Sequence, residues 1–477
     1  YILTKEIVEI IWKVSLVGVS RGSAGAFFIC YLLDITQINP LDYNLPDWRH
    51  ISKERPELPD IDVDSQAGER ANIIENIKNV YGADRVLNIA TFKTEGTSSA
   101  IQTIARGMNI PIDDARYLSS LAVKEGTSFL SIKKCRDNYK TNPKCKKFIN
   151  ALKEMDQEYE GFYENVCSIE GLICGRSIHA SGVYIFPTDY VHMNALMKAP
   201  NGQEITQFSM KDSDYMGGLK VDLLTIEALD RIRKDMGLLI KHNVIEDKGS
   251  LKATYDAYLH PTKLEYEDPD MWQLLYDGEI TNAFQMETLV GRTAVQKVQP
   301  HKLQEIIATN SLMRLSCDGE QPIDRFVKHK KDITLWYDEM QKWGLNEDEI
   351  HVLEKHLLKS YGVANTQEDL MRLAMDEKIA NFTLLEANKL RKAIAKAKAK
   401  NMIEPIMNLF VEKGLENGNR MKLLAYVWEI QVKPSYGYAF SEPHVAAYSI
   451  ILLQEMNLVY KFGALYWKTA CLSINSG

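Results

Sequence analysis

The chain has 477 residues, enough for two to four domains that each bury a core, and its 45% hydrophobic and 25% charged content is ordinary for a soluble globular protein. It carries no apolar run long enough to span a bilayer and no signal peptide, which argues against a membrane or secreted design and for the cytoplasm. Seven scattered cysteines without C-x-x-C spacing offer neither a zinc site nor a disulfide framework, and a net charge of -7 leaves nucleic-acid binding to local clusters of Lys and Arg.

Tyr1 to Val14 reads as a helix, and a chain that opens on Tyr inside a helix is expected to be a piece of something longer. An apolar stretch, Ser15 to Val19, then meets Ser20-Arg21-Gly22-Ser23-Ala24-Gly25-Ala26, and Phe27 to Leu33 reads as a second helix. This puts Gly22 and Ser23 at a helix N-terminus, where free N–H groups favour an anion and Arg21 adds positive charge. A plain helix cap is the competing reading of that turn. Pro46 to Arg55 forms an irregular connection.

The next stretch, Leu58 to Asp64, organises the rest. If it is extended, Asp60, Asp62 and Asp64 share one exposed face and Ile61 and Val63 the other. Carboxylates about 7 Å apart along a strand repel unless a cation sits among them, so the ridge either holds a hard divalent metal or is fully hydrated. A calcium loop fits poorly, because Ser65 and Ala71 stand where Gly and Glu belong.

Ile73, Ile74, Ile77 and Val80 are spaced for one face of a helix over Glu69 to Tyr81, and Arg85 to Phe92 reads as a strand. From Lys93 to Glu170 the chain reads as helical, with Ile101, Ile104, Ala105 and Met108 on one face. A basic run follows: Lys133, Lys134, Arg136, Lys140, Lys144, Lys146, Lys147 and Lys153, interrupted by Tyr139. It is either a contact for a nucleic acid backbone or a solvated helix face.

Strand alternation returns at Gly182 to Phe186 and at Gly218 to Leu224, where Lys220 and Asp222 face away from Val221 and Leu223. That face could carry a further metal carboxylate beside a lysine, or only an edge salt bridge. Beyond Ile226 the chain reads as helices. They include a basic segment, Lys389 to Lys400, and a turn, Gly437 to Tyr448, that opens a helix with aromatics at both ends.

The order of these features resembles the catalytic core of bacterial replicative DNA polymerase III alpha subunits, the C-family polymerases. The motifs are Arg21-Gly-Ser, Pro59-Asp-Ile-Asp-Val-Asp, His179-Ala-Ser-Gly, Lys220-Val-Asp-Leu-Leu, Phe284-Gln-Met-Glu, Leu390-Arg-Lys-Ala and Phe440 to Tyr448. The resemblance implies an α+β fold: a polymerase-beta-type nucleotidyltransferase palm with a mixed sheet, a helical thumb inserted into it, and large helical fingers. The expected boundaries are palm 1–92 and 171–227, thumb 93–170 and fingers 228–477.

It further implies a template-directed DNA polymerase that adds deoxynucleoside triphosphates to a primer-template DNA. Asp60, Asp62 and Asp222 would be the catalytic carboxylates holding two Mg2+ ions, with Asp64 in a supporting role. Arg21, Gly22 and Ser23 would hold the triphosphate near Lys220, helped by Arg314, Arg391 and Lys392, with His444 and Tyr448 close by. Lys133, Lys134, Lys140, Lys144, Lys146 and Lys147 are the expected DNA contacts. A sliding clamp and other replisome subunits are implied partners of the full-length protein, so this piece alone is expected to have low processivity.

Three departures from the family pattern bear on nucleotide binding: Gly18-Val-Ser precedes Arg21, Leu315-Ser-Cys follows Arg314, and Glu442 stands where a lysine is usual. A carboxylate beside a triphosphate would repel it. The competing functions are a degenerate DNA-binding or scaffold module and a template-independent nucleotidyltransferase on the same palm.

Overall fold

The computed structural model describes residues 1–53, 61–125, 128–317, 319–396 and 402–475. They form two compact units, one of Tyr1–Tyr81 with Val221–Gly477, the other of Gly82–Lys220.

The second unit combines a mixed sheet with a helical cluster. Val86–Thr94 pairs antiparallel with Ile173–Ile185, from Val86 opposite Ile185 to Thr94 opposite Ile173, with irregularities between Asn88 and Ala90 and between Lys93 and Thr94. Glu204–Thr206 adds in parallel to Val86–Thr94, and Leu196–Lys198 pairs antiparallel with it at the outside. The Ile173–Ile185 strand is much longer than Gly182 to Phe186. Only Gly182–Ile185 is continuously buried, so the rest of the strand carries no hydrophobic alternation to reveal it.

Five helices make the other part of this unit: Thr97–Gly107, Ile112–Ser120, Ile132–Asp137, Pro143–Glu158 and Phe162–Ile169. They enclose Ile101, Ala105, Leu118, Phe148, Leu152 and Phe162. Ser131 and Asn142 cap the two lysine-bearing helices by accepting from the amides of Lys134 and Lys144, and Pro143 opens the second. Their starts are thus fixed by side chains, and the lysines are left outside.

In the first unit, Val63–Ser65 runs parallel to the end of Leu219–Thr225, with Val63 opposite Leu223 and Ser65 opposite Thr225. Helix Ile2–Trp12 buries Ile7, Val8, Ile10, Ile11 and Trp12. Helix Arg70–Tyr81 buries Ile73 and Ile77, while Val80, expected on that face, is 56% exposed at the last turn. From Glu227 onward every described element is helical, ending at Ala464–Asn475.

Two bodies of packing matter for the site. Trp336, Leu353, Leu373, Leu390, Phe410, Tyr426 and Trp428 join the helices between residues 334 and 428. The 21-residue helix Glu442–Phe462 is buried continuously from Val445 to Val459, polar residues included, so it is hydrophobic on no single face and forms an axis of the unit. Among the described residues no helix is long and apolar enough to cross a membrane.

Three local expectations are corrected. The strand near the aspartates is only Val63–Ser65, and all three residues are buried, so Asp64 does not sit on an exposed ridge. A parallel strand covered on both faces hides its polar side chains with its apolar ones. The helix after Arg21-Gly-Ser shrinks to a 3-10 turn, Ala24–Ala26, and a five-residue helix, Phe28–Leu32. The basic segment is helix Leu384–Ala395, with Ala387, Leu390, Ala393 and Ile394 buried, so one face belongs to the core. Residues 397–401 lie outside the described residues, as does 54–60, which contains Asp60.

Candidate active site

Parallel pairing sets the carboxylates. Val63 lies opposite Leu223, so Asp62 directly precedes the first paired residue of one strand and Asp222 directly precedes its partner on the other. Asp222 is buried and Asp62 half-buried. A Cβ added to Gly22 would lie 3.8 Å from Asp62 Oδ2, so the Arg21-Gly22 turn approaches this carboxylate closely, and its φ of +59° suits glycine.

Asp64 is held differently. Arg21 Nη1 donates to Asp64 Oδ1 at 2.8 Å and to the Tyr448 hydroxyl at 2.6 Å. Burial pushes the Asp64 carboxyl up, and the Arg21 guanidinium pulls it back down. In the structure Asp64 thus anchors Arg21.

The long helix and the residues just before it carry an aromatic ladder beside this turn. Phe440, His444 and Tyr448 are spaced by four residues. His444 stacks on Phe440 at 5.3 Å between centroids and lies 4.1 Å from Tyr448, whose other neighbour is Phe284 at 5.0 Å. The Arg314 guanidinium lies 5.1 Å from the Phe440 ring and the Arg21 guanidinium 5.9 Å from the Tyr448 ring, so a cation stands at each end.

His444 Nδ1 accepts from the Gly22 amide at 3.3 Å. Burial, with the charges of Arg21 and Arg314, lowers its pKa to about 4, so the ring is neutral near pH 7 and can accept. Ser23 Oγ meets His50 Nδ1 at 3.1 Å, and Tyr1 Oη meets His50 Nε2 at 3.0 Å. The amide and hydroxyl expected to face a phosphate are thus engaged by two histidines. Neither belongs to a long helix N-terminus, and the 3-10 turn that Ser23 precedes is too short to supply a strong dipole.

Glu442 departs most from expectation. It is 8% exposed and turned toward helix Gln367–Met375. Arg372 Nη2 lies 2.7 Å from its Oε2 and Lys359 Nζ 3.2 Å from its Oε1, while the Glu442 amide donates to Glu368 Oε2 at 2.6 Å. Burial and neighbouring Asp369 push the Glu442 carboxyl up, against the two cations. Ion pairs thus engage a charge that sequence alone would set against the triphosphate.

The remaining expected residues sit as follows. Arg314 Nε donates to the Asn310 carbonyl at 3.2 Å, and Arg314 also donates to Gln285. Half-buried Arg391 and exposed Lys392 lie on Leu384–Ala395, and the Ile394 carbonyl of that helix accepts from the Gly437 amide at 2.9 Å. Lys220 is half-buried, two residues before Asp222 on the same strand. The structure brings Arg21, Gly22, Asp62, Arg314, His444 and Tyr448 into one neighbourhood. Asp60 lies outside the described residues.

Among the described residues no group of three or more His, Cys, Asp or Glu side chains is arranged to hold a metal. Asp62 and Asp222 offer carboxylate oxygens, a hard donor type that fits a divalent cation of the magnesium type better than a soft metal.

A family profile described as bacterial DNA polymerase III alpha NTPase domain matches residues 1–225, and one described as bacterial DNA polymerase III alpha subunit finger domain matches residues 241–418. The chain belongs to the bacterial DNA polymerase III alpha family. Similar relatives include a Bacillus subtilis protein named a probable DNA polymerase and a Bacillus phage SPbeta protein named DNA-directed DNA polymerase. Each is 50% identical over 100% of this chain and 37% of its own length. The DNA polymerase III subunit alpha of Aquifex aeolicus is 29% identical over 91% of this chain and 36% of its own length. The chain therefore spans little more than a third of the relatives it matches.

Within this family frame, the six lysines expected to meet DNA lie together in the second unit. Lys133 and Lys134 are on Ile132–Asp137, Lys144, Lys146 and Lys147 on Pro143–Glu158, and Lys140 between them; all are exposed. Sequence reasoning missed His50, Glu368 and Arg372. Only Thr366-x-x-Asp369, a capping box, signalled that a helix starts beside the last two.

Proposed function

We propose that this chain is the catalytic core of a template-directed DNA polymerase, transferring a deoxynucleotide to a primer 3'-hydroxyl and releasing pyrophosphate. One observation carries the reading: the parallel pairing of Val63 with Leu223, the residues that directly follow Asp62 and Asp222, with the Arg21-Gly22 turn packed against Asp62. Asp62 and Asp222, with Asp60, would hold two Mg2+ ions. When bound, such ions lower the pKa of an attacking hydroxyl and neutralise charge on the transferred phosphoryl.

The protein's own groups then have defined work. Arg21, fixed by Asp64 and Tyr448, faces the triphosphate with a charge that does not need reorganising. The Gly22 amide and Ser23 hydroxyl become phosphate donors once His444 and His50 release them. Arg314, Arg391, Lys392 and Lys220 add positive charge. The aromatic ladder gives the nucleotide a surface to pack on, and base choice comes from pairing with template. The exposed lysines of the helices at 132–158 hold the primer-template backbone. In the longer protein, a sliding clamp and other replisome subunits would supply processivity.

Primer extension with and without template, for wild type and Asp62→Asn, tests this reading. Template-dependent incorporation that disappears in the variant supports it. Incorporation without template favours the template-independent enzyme, and tight primer-template binding without incorporation favours the scaffold module.

A further inference from the structure

Glu442 opens the helix that carries His444 and Tyr448, so whatever holds Glu442 sets where those two side chains stand. Helix Gln367–Met375 and its N-cap hold this segment at every step from 439 to 442. Gln367 Nε2 donates to the Ala439 carbonyl at 2.7 Å, and the Gln367 amide donates to the Phe440 carbonyl at 2.8 Å. Ser441 Oγ donates to Glu368 Oε1 at 3.1 Å, and the Glu442 amide donates to Glu368 Oε2.

The side chain of Glu442 then closes the connection through Arg372 and Lys359. Both cations also reach Asp369 Oδ1, at 3.3 and 3.6 Å. Arg49 supports the cluster from the other side by donating to Glu368 Oε1 at 2.8 Å. Glu368, Asp369 and Glu442 are thus three buried carboxylates shared among Arg49, Arg372 and Lys359. Removing one member leaves the others desolvated and mismatched.

We infer that Glu442 is a positioning residue for nucleotide binding: its ion pairs with Arg372 and Lys359 lock the first turn of the long helix onto helix Gln367–Met375. This lock fixes His444 and Tyr448 against the Arg21-Gly22 turn. The inference rests on the polymerase reading for its kinetic consequence and on the geometry alone for its structural one. It opposes the simplest view of a carboxylate at this position, which would weaken nucleotide binding by repulsion. The two views predict opposite signs for a neutral substitution.

The test measures single-nucleotide incorporation on a primer-template by Glu442→Gln, Arg372→Gln and the double variant, separating KM for the deoxynucleotide from kcat. The expected result is a KM raised about tenfold in each single variant, with the double no worse than the more affected single. Lys359→Gln, at the exposed arm of the cluster, should shift KM the same way by less and is the milder variant should Arg372→Gln fold poorly.

A lower KM in Glu442→Gln, an unchanged one, or additive effects in the double would overturn the inference. Hydrogen exchange without nucleotide or DNA is the second readout: amides of 439–446 should exchange faster in Glu442→Gln while those of helix Leu384–Ala395 do not change. A wild type that incorporates nothing defeats the polymerase reading, and the exchange result still decides the lock. Equal exchange in wild type and variant sinks it.

Discussion

Two charged regions of this molecule are built on opposite rules. Around the Arg21-Gly22 turn and the start of the long helix, Arg21, Asp64, Arg372, Lys359 and Glu442 each have an opposite charge within hydrogen-bonding or ion-pair distance, and both carboxylates are buried. On and between the helices at 132–158, six lysines stand in water. Paired, buried charges hold geometry, because moving either partner exposes the other's desolvation cost. Unpaired, exposed charges create a field that a polyanion can enter without displacing protein contacts. One region is thus fixed in its geometry, and the other presents exposed positive charge.

The sharpest way to break this contrast is at Asp62 and Asp222, the two described carboxylates that the proposed reaction needs. Asp222→Asn and Asp62→Asn should each lower the incorporation rate by at least about 100-fold. Primer-template affinity should change less than about twofold, since the lysine face is untouched. Single-turnover incorporation and fluorescence anisotropy check the pair. Loss of DNA affinity in step with activity would mean that the regions are not separable.

Next in size is the paired region itself. Arg21→Met leaves Asp64 buried without its cation and should destabilise the protein by about 3–5 kcal/mol, as breaking a buried pair does. Adding Asp64→Asn should recover much of that loss. Urea unfolding of the single and double variants provides the measurement. An Arg21→Met variant as stable as wild type would mean that the pair is not structural.

A third case lies between these two rules. Asp235, on helix Glu227–Lys241, is 1% exposed and neither carboxylate oxygen accepts a hydrogen bond among the described residues. Burial raises its pKa from 3.8 to about 7. A carboxyl whose folded pKa is raised binds its proton more tightly in the folded state. Stability from this group is therefore fully present below about pH 4 and falls as pH rises to about 7. Asp235→Asn should remove that slope, gaining up to a few kcal/mol over wild type at pH 8 and little at pH 4. Unfolding free energies at the two pH values measure it, and a gain independent of pH would point to packing.

The fold class was legible because apolar periodicity survives where one face is buried. Helix Arg70–Tyr81 through Ile73 and Ile77 and the helices after Ile226 are readable that way. Legibility fails where burial covers both faces. Asp64 alternates with Val63 like a surface residue, yet parallel pairing buries it, and one strand's spacing cannot report its neighbours. Glu442 misleads for a related reason. Its partners Arg372, Lys359 and Glu368 lie at least 70 positions away, so the residue reads as a misplaced charge. Arg21 and Tyr448 were named by resemblance, and the structure joins them by a hydrogen bond. The pairing of Gly22 with His444 and of Ser23 with His50 was not legible, because both depend on tertiary placement of a single imidazole.

The smallest expected effect concerns the exposed region and sharpens the contrast from its other side. Lys144, Lys146 and Lys147 follow a capped start at Asn142, with Cys145 and Phe148 facing the core and the three lysines facing water. Replacing all three by Gln removes charge without exposing core, so stability should stay within about 0.5 kcal/mol for each substitution. If these lysines meet phosphates, primer-template affinity should fall for every sequence alike. The slope of log affinity against log salt should then shrink by about 0.9 for each phosphate that is no longer neutralised. Incorporation at saturating DNA should be unaffected, because no carboxylate or phosphate donor of the site has moved. A salt slope equal to that of wild type would make the cluster a solvated face and leave the protein to hold DNA by charges elsewhere.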